Sequence, residues 1–272
     1  LRASRAITQA GPLPFEIPEL VGQVRDTDGS QAVLLTLLGG DKPDLSRYTP
    51  GKFSQSIAST LATIHELDPA LVRDSGLPEY QSADLIHQRV AEVDKIAATG
   101  RVAPQLLSRW EKALEDVSLF RFHPTVIHGS ITEDSLFVTD QQVVGVGNWT
   151  ALSISDPAED LRWLAGGALE TTFEDSLLHY RAARSAADEN ISLRATLYAE
   201  LELGSWLVYC LEFESSEEIA RAEDLLNELR DQLAAGGLKP LRATSFAGIS
   251  GTTSSTGSTV QATQQANEEE LF

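Results

Sequence analysis

The side chains best able to do chemistry crowd into one stretch. It reads Val126-Ile127-His128-Gly129-Ser130-Ile131-Thr132-Glu133-Asp134-Ser135-Leu136-Phe137-Val138, then Val146-Gly147-Asn148-Trp149, then Asp156-Pro157-Ala158-Glu159-Asp160-Leu161. An imidazole, several hydroxyls and carboxylates in this order could orient or move a proton and offer oxygen ligands to a hard cation. Other chemistries fit less well. Ser130 follows His128-Gly129 and lacks the G-x-S-x-G elbow of a serine hydrolase. The histidines at 65, 87, 123, 128 and 179 have no paired spacing for a metal. Cys210 stands in an apolar helical run between Tyr209 and Leu211, where a buried, inert thiol is expected. Glycines 248, 251 and 257 are followed by no lysine and framed by no strand or helix, so they make no phosphate loop. Asn148-Trp149-Thr150 and Asn190-Ile191-Ser192 match the glycosylation triplet, but without a secretion signal they read as chance.

Short elements must position this stretch. Residues 125–127, 136–138 and 143–146 are rich in β-branched and aromatic residues and read as three small strands joined by tight polar connections. Upstream, residues 1–11 read as the end of a helix closing at glycine, and Pro12, Pro14 and Pro18 keep the backbone extended. Residues 21–25 and 31–38 flank the turn Asp26-Thr27-Asp28-Gly29 and predict a hairpin. Gly39-Gly40-Asp41-Lys42-Pro43 breaks that pattern, and helical periodicity takes over. One helix is expected over about 53–67, with Phe53, Ile57, Leu61 and Ile64 on one face. A second is expected over about 83–97, and a third is anchored by Leu106, Trp110 and Leu114. Beyond Asp156-Pro157 the pattern is helical to about residue 235, with Ser215 and Glu218 as a capping box opening the last helix. Core packing is the expected role of Trp149, Trp163 and Trp206. From 239 to 272 the chain turns rich in Gly, Ser and Thr, which predicts a disordered tail.

Composition narrows the class. At 272 residues with 42% hydrophobic and 22% charged, the chain has the make-up of a globular protein of one large domain or two modest ones. Its longest apolar runs, near 33–38 and 203–211, fall short of the roughly 20 residues of a membrane span. One cysteine cannot form an intramolecular disulfide, which makes a reducing, cytoplasmic setting the expectation. The balance of 21 basic against 40 acidic residues, a net charge of −19, repels phosphate backbones and anionic lipid, so neither nucleic acid nor a membrane is expected as partner. The same field attracts cationic small molecules, although acidity alone is more often a solubility feature. There is no methionine, so Leu1 is not an initiator, and a fragment, a processed product or an incomplete sequence is expected.

The quoted stretch resembles the catalytic segment of the aminoglycoside and macrolide phosphotransferases, a small-molecule branch of the kinase-like fold. In that family it reads HGDxxxxN, then a hydrophobic-Asp-Trp, then Asp-Pro with a helix-opening Asp, and the frame matches here without a gap. The resemblance covers about 12–235. It implies an α+β, kinase-like fold in which residues 1–40 are a truncated amino-terminal lobe and hinge. Residues 41–238 would form a mainly helical carboxy-terminal lobe whose catalytic loop region is 125–160. Leu37, Leu38 and Gly39, with Gly40, fall on the hinge that cradles adenine by backbone groups. The glycine-rich loop and the strand carrying the phosphate-binding lysine would lie before Leu1.

What the resemblance implies for chemistry is mixed. Phosphoryl transfer needs a group to orient or deprotonate the attacking hydroxyl and hard ligands to hold magnesium on the phosphates of ATP. By position, the family's base aspartate falls on Ser130, its metal-binding asparagine on Ser135 and its metal-binding aspartate on Asn148. Serine takes no proton at neutral pH, so loss of the base costs roughly 10²–10⁴-fold. Asn148 and Ser135 are weaker ligands than the residues they replace, and Asp134, Glu133 or Asp156 are the carboxylates that could substitute. The resemblance makes His128 a loop brace and Asp160 the residue that holds the loop. A capping or helix-dipole role for Asp160 is compatible with that. The expected function is therefore that of a phosphotransferase-like protein, ancestrally moving a phosphoryl group from ATP to the hydroxyl of a small-molecule acceptor, with activity impaired or lost. The charge favours a cationic acceptor. Two alternatives stand beside it, a non-catalytic pseudokinase that binds a nucleotide, small molecule or protein, and an inert fragment.

Overall fold

The computed structural model describes residues 2–25, 27 and 29–243. α1 (Arg2–Ile7) buries Ala3, Ala6 and Ile7, and the proline-rich strap after it leads into β1 (Leu20–Arg25), which pairs antiparallel with β2 (Gln31–Leu35). Of the expected turn between them, Asp26 and Asp28 lie outside the described residues. The second strand stops at Leu35 instead of 38, because the chain turns there to bury Leu38 against Gly145 while Leu37 stays 95% exposed. Val21, Val24 and Leu34 are also exposed, so this ribbon contributes little to the core.

The helical body begins with α2 (Lys52–His65), whose Phe53, Ile57, Leu61 and Ile64 are fully buried, as their spacing requires. A short α3 (Ala70–Asp74) follows, which periodicity is too brief to reveal. α4 (Ser82–Ala98) and α5 (Pro104–Glu115) come next, the latter opened by Pro104 and anchored by Trp110, whose indole N–H donates to Glu200 at 2.9 Å.

Then come β3 (Thr125–Ile127), β4 (Leu136–Thr139), β5 (Gln142–Val146) and β6 (Ser153–Ser155). β4 and β5 form a hairpin turned by Asp140 and Gln141, both at positive φ. Each of its edges is covered. Asp41 exchanges backbone hydrogen bonds with Val138 on β4, and Glu16 does so with Val144 and Val146 on β5. β6, which the sequence did not announce, pairs antiparallel with β3.

α6 (Ala158–Gly167), α7 (Glu170–Ala183), α8 (Ile191–Phe213) and α9 (Ser216–Ala234) complete the body. α8 packs on α4, α6 and α9. Gly204 lets α4 and α8 approach closely, since a Cβ there would lie 2.6 Å from Ile96 Cδ1. Cys210 is enclosed in α8. Trp149 is buried, and Trp163 and Trp206 pack partly against the core. The Ser215 hydroxyl accepts from the Glu218 N–H, the forward limb of the expected capping box. Residues 239–243 of the segment expected as a tail are built onto the body: Lys239 bridges Glu170 and Glu174, Leu241 is buried, and the Ala243 N–H donates to Asp116 at 3.0 Å. The remainder of that segment, 244–272, lies outside the described residues. Among the described residues no helix is long and apolar enough to cross a membrane.

Candidate functional site

The loop from 128 to 135 joins β3 to β4, and its entry is held from below by Asp160 in the first turn of α6. One Asp160 oxygen accepts from the Gly129 N–H at 2.7 Å. The other accepts from the His128 N–H at 2.7 Å and from His65 Nε2 at 3.1 Å. With Nε2 donating, His65 Nδ1 accepts from the Tyr180 hydroxyl at 2.7 Å, and that hydroxyl accepts from Arg184 at 3.3 Å. Burial pushes the Asp160 carboxyl up, but hydrogen bonding from His65 and the Gly129 N–H outweighs it and holds the group below the usual carboxylate range. Gly129 is required by the close approach of the two loops. It has φ of 82°, and a Cβ would meet the Ala151 carbonyl oxygen at 2.5 Å.

His128 is fully buried and uses both ring nitrogens. Nε2 donates to the Gly147 carbonyl at 2.7 Å, so Nδ1 is the acceptor for the Ser130 N–H at 3.3 Å. Its ring packs on Trp149 at 4.6 Å. Burial lowers its pKa against the opposing pull of Asp160, leaving a neutral imidazole that ties the loop to residues 147–149.

The three positions that the family pattern assigns to reactive oxygens are arranged differently. The half-buried Ser130 hydroxyl lies 3.4 Å from the Asn148 carbonyl and 3.5 Å from His128 Nδ1. Ser135 is fully buried, and its hydroxyl accepts from the Thr132 N–H and donates to the Thr132 carbonyl, both at 2.9 Å, so it closes its own turn. Asn148 is exposed, holds a left-handed backbone at φ 55°, ψ 47°, and accepts from the Thr150 hydroxyl at 3.1 Å.

The candidate substitute carboxylates are each engaged. Asp134 is ion-paired with Lys42 at the surface. Glu133 accepts from the Trp163 indole at 3.1 Å. Asp156 is fully buried, held by Arg194 at 2.6 and 3.0 Å, by the Tyr198 hydroxyl at 2.7 Å and by the Ala158 N–H at 2.9 Å. The positions expected at a hinge divide: Leu37 faces solvent, Leu38 is buried against Gly145, and Gly39 follows in the open segment before the Asp41 bridge. No three His, Cys, Asp or Glu side chains among the described residues form a group able to hold a metal. Positions 130, 135 and 148 offer two hydroxyls and an amide, one of them turned inward. They do not fit a magnesium–triphosphate.

Sequence reasoning found the loop, its brace and Asp160 but not His65, Tyr180 or Arg194, which lie far away along the chain. A histidine and a tyrosine on otherwise apolar helix faces were the available signal.

Residues 1–203 match the model of the phosphotransferase enzyme family, APH. Among solved structures, the chain superimposes on macrolide 2'-phosphotransferase MphH from Brachybacterium faecium with a TM-score of 0.66 at 21% identity, covering 83% of this chain and 78% of that one. It superimposes on the GDP and kanamycin complex of APH(2")-IIia with a TM-score of 0.68 at 18% identity, covering 85% and 83%. A curated relative, uncharacterized protein YcbJ of Bacillus subtilis (strain 168), is 24% identical over 109 residues, 40% of this chain and 36% of that protein. The chain thus aligns with little more than a third of that relative's length. These likenesses establish the α+β kinase-like fold, and with residues 1–203 of its 272 inside the family model the chain belongs to the phosphotransferase enzyme family.

Proposed function

We propose that this chain is a member of the family in which phosphoryl transfer is lost and the site persists as a non-catalytic binder of small molecules. The observation that carries this reading is Ser135: at a position the family uses for a metal ligand, its hydroxyl is enclosed and spent on both polar groups of Thr132. Ser130 and Asn148 add no carboxylate, so the site lacks a base of suitable pKa and a charged ligand for a divalent cation. Solved relatives that share the fold are described as holding GDP, kanamycin or gentamicin. That supports a small-molecule role for the frame and leaves the ligand of this chain to its own residues.

The test is calorimetric titration of the chain with ATP, with magnesium and again with chelator, alongside a transfer assay on kanamycin and erythromycin. The expected result is no magnesium-dependent gain in ATP affinity and no transfer. Magnesium-dependent binding or measurable turnover would overturn the reading.

A further inference from the structure

A cavity of about 260 Å³ lies beside the loop on the side facing α4. Its floor is one face of the β3–β6 ribbon. Ile127 stands opposite Ser153, so their side chains share a face with Ser155 two residues on, while Ile154 between the serines turns into the core. Ser153 and Ser155 are only 6% and 4% exposed and line the cavity, yet neither hydroxyl has a hydrogen-bond partner among the described residues. Neither oxygen is among the enclosed unpaired atoms of the interior, so both open onto the cavity, and two such hydroxyls on one strand face take their partner from the water or ligand that fills it. The walls continue this chemistry. Gly129 and Thr150 close the side toward the loop, and the half-buried Tyr80 and the exposed Gln88 close the opposite side.

Charge and size narrow the occupant. Glu159 is the one acidic side chain in the lining, and its carboxylate is already held by Arg89 and by Arg162 Nη1, the latter at 3.1 Å. The cavity therefore offers hydrogen-bond donors and acceptors without an unpaired charge. Its volume falls just below the roughly 300–1,000 Å³ of sites for drug-sized ligands. One saturated ring fits that space. The linked rings of an aminoglycoside or the macrocycle of a macrolide would extend well beyond its open side, away from the two serines.

We propose that this cavity binds a neutral, single-ring polyol, a hexopyranose or a cyclitol, through Ser153, Ser155, Gln88 and Tyr80. The inference deepens the binding reading above and is tested without nucleotide. Turnover would therefore sink that reading alone, and the ligand titrations sink this one alone.

The intact chain would be titrated with D-glucose, D-galactose, D-mannose and myo-inositol, and separately with kanamycin and erythromycin, by saturation-transfer NMR and calorimetry. At least one neutral ring is expected to bind more tightly than either antibiotic. The double variant Ser153→Ala/Ser155→Ala is expected to weaken it about tenfold, the loss of two ordinary hydrogen bonds, with no drop in melting temperature because neither hydroxyl supports the fold. Gln88→Ala, on the exposed side of α4, is a second variant expected to weaken binding with folding unaffected. Binding by none of the four neutral rings, tighter binding of kanamycin, or unchanged affinity in both variants would each overturn the proposal.

Discussion

Asp160 and Ser130 serve opposite sides of the same short loop and are treated differently by the structure. Asp160 is enclosed, accepts hydrogen bonds from His128, Gly129 and His65, and is backed by Tyr180 and Arg184. Ser130 is half-buried, with its hydroxyl at 3.4 Å from the nearest carbonyl. The difference separates two demands that an enzyme site normally satisfies together. The frame must pair every buried polar group or the loop will not hold its shape. The rim needs particular oxygen atoms only if it carries out a reaction, and here small neutral side chains satisfy its local geometry.

The largest expected effect that tests this contrast is Asp160→Ala. It leaves two backbone N–H groups and a histidine without an acceptor in the interior and should lower unfolding free energy by about 3–5 kcal/mol. Ser130→Ala should change it by less than about 0.5 kcal/mol. Urea titration of both variants reads the ratio, and equal losses would erase the distinction. Next comes Gly129→Ala, where positive φ and the Ala151 carbonyl both oppose a Cβ, with an expected cost of about 1–3 kcal/mol.

A smaller effect concerns pH. The folded pKa of His128 lies below its unfolded value of roughly 6.5. The unfolded chain therefore binds more protons in that window, and the stability contributed by the neutral imidazole is present above it and lost as pH falls below it. Melting temperature should decline from pH 7 to 5, and His128→Asn should flatten the decline. The depressed Asp160 carboxyl acts in a separate, lower window, below about 3.9, where protonation removes its contribution. The smallest effect should come from Ser130→Asp combined with Asn148→Asp. Asparagine and aspartate both tolerate the left-handed backbone at 148, so stability should stay within about 0.5 kcal/mol of the parent by urea titration.

How far the sequence disclosed this arrangement depended on the range of the interactions. The buried face of α2 and the strands on either side of the loop follow from local periodicity, and Asp160 is placed by its position at a helix start. β6 was missed because Ser153-Ile154-Ser155 has one apolar residue and gains its strand character from pairing with Thr125–Ile127, more than twenty positions away. His65, Tyr180 and Arg194 were missed for the same reason: a hydrogen bond across 95 positions, as between His65 and Asp160, leaves no periodic trace. The end of the second strand was placed at Leu38 instead of Leu35 because alternation cannot say where pairing stops or which of two adjacent leucines turns inward beyond it.

Cys210, the one thiol in the chain, sits enclosed in α8. A maleimide added to the native protein therefore finds almost nothing to modify. Cysteines introduced at the exposed Leu37 after β2 and at Gln88 beside the cavity could carry a dye pair against that silent background. Left unmodified, the same thiol works as a timer, because its labelling rate under native conditions counts how often α8 opens away from its neighbours.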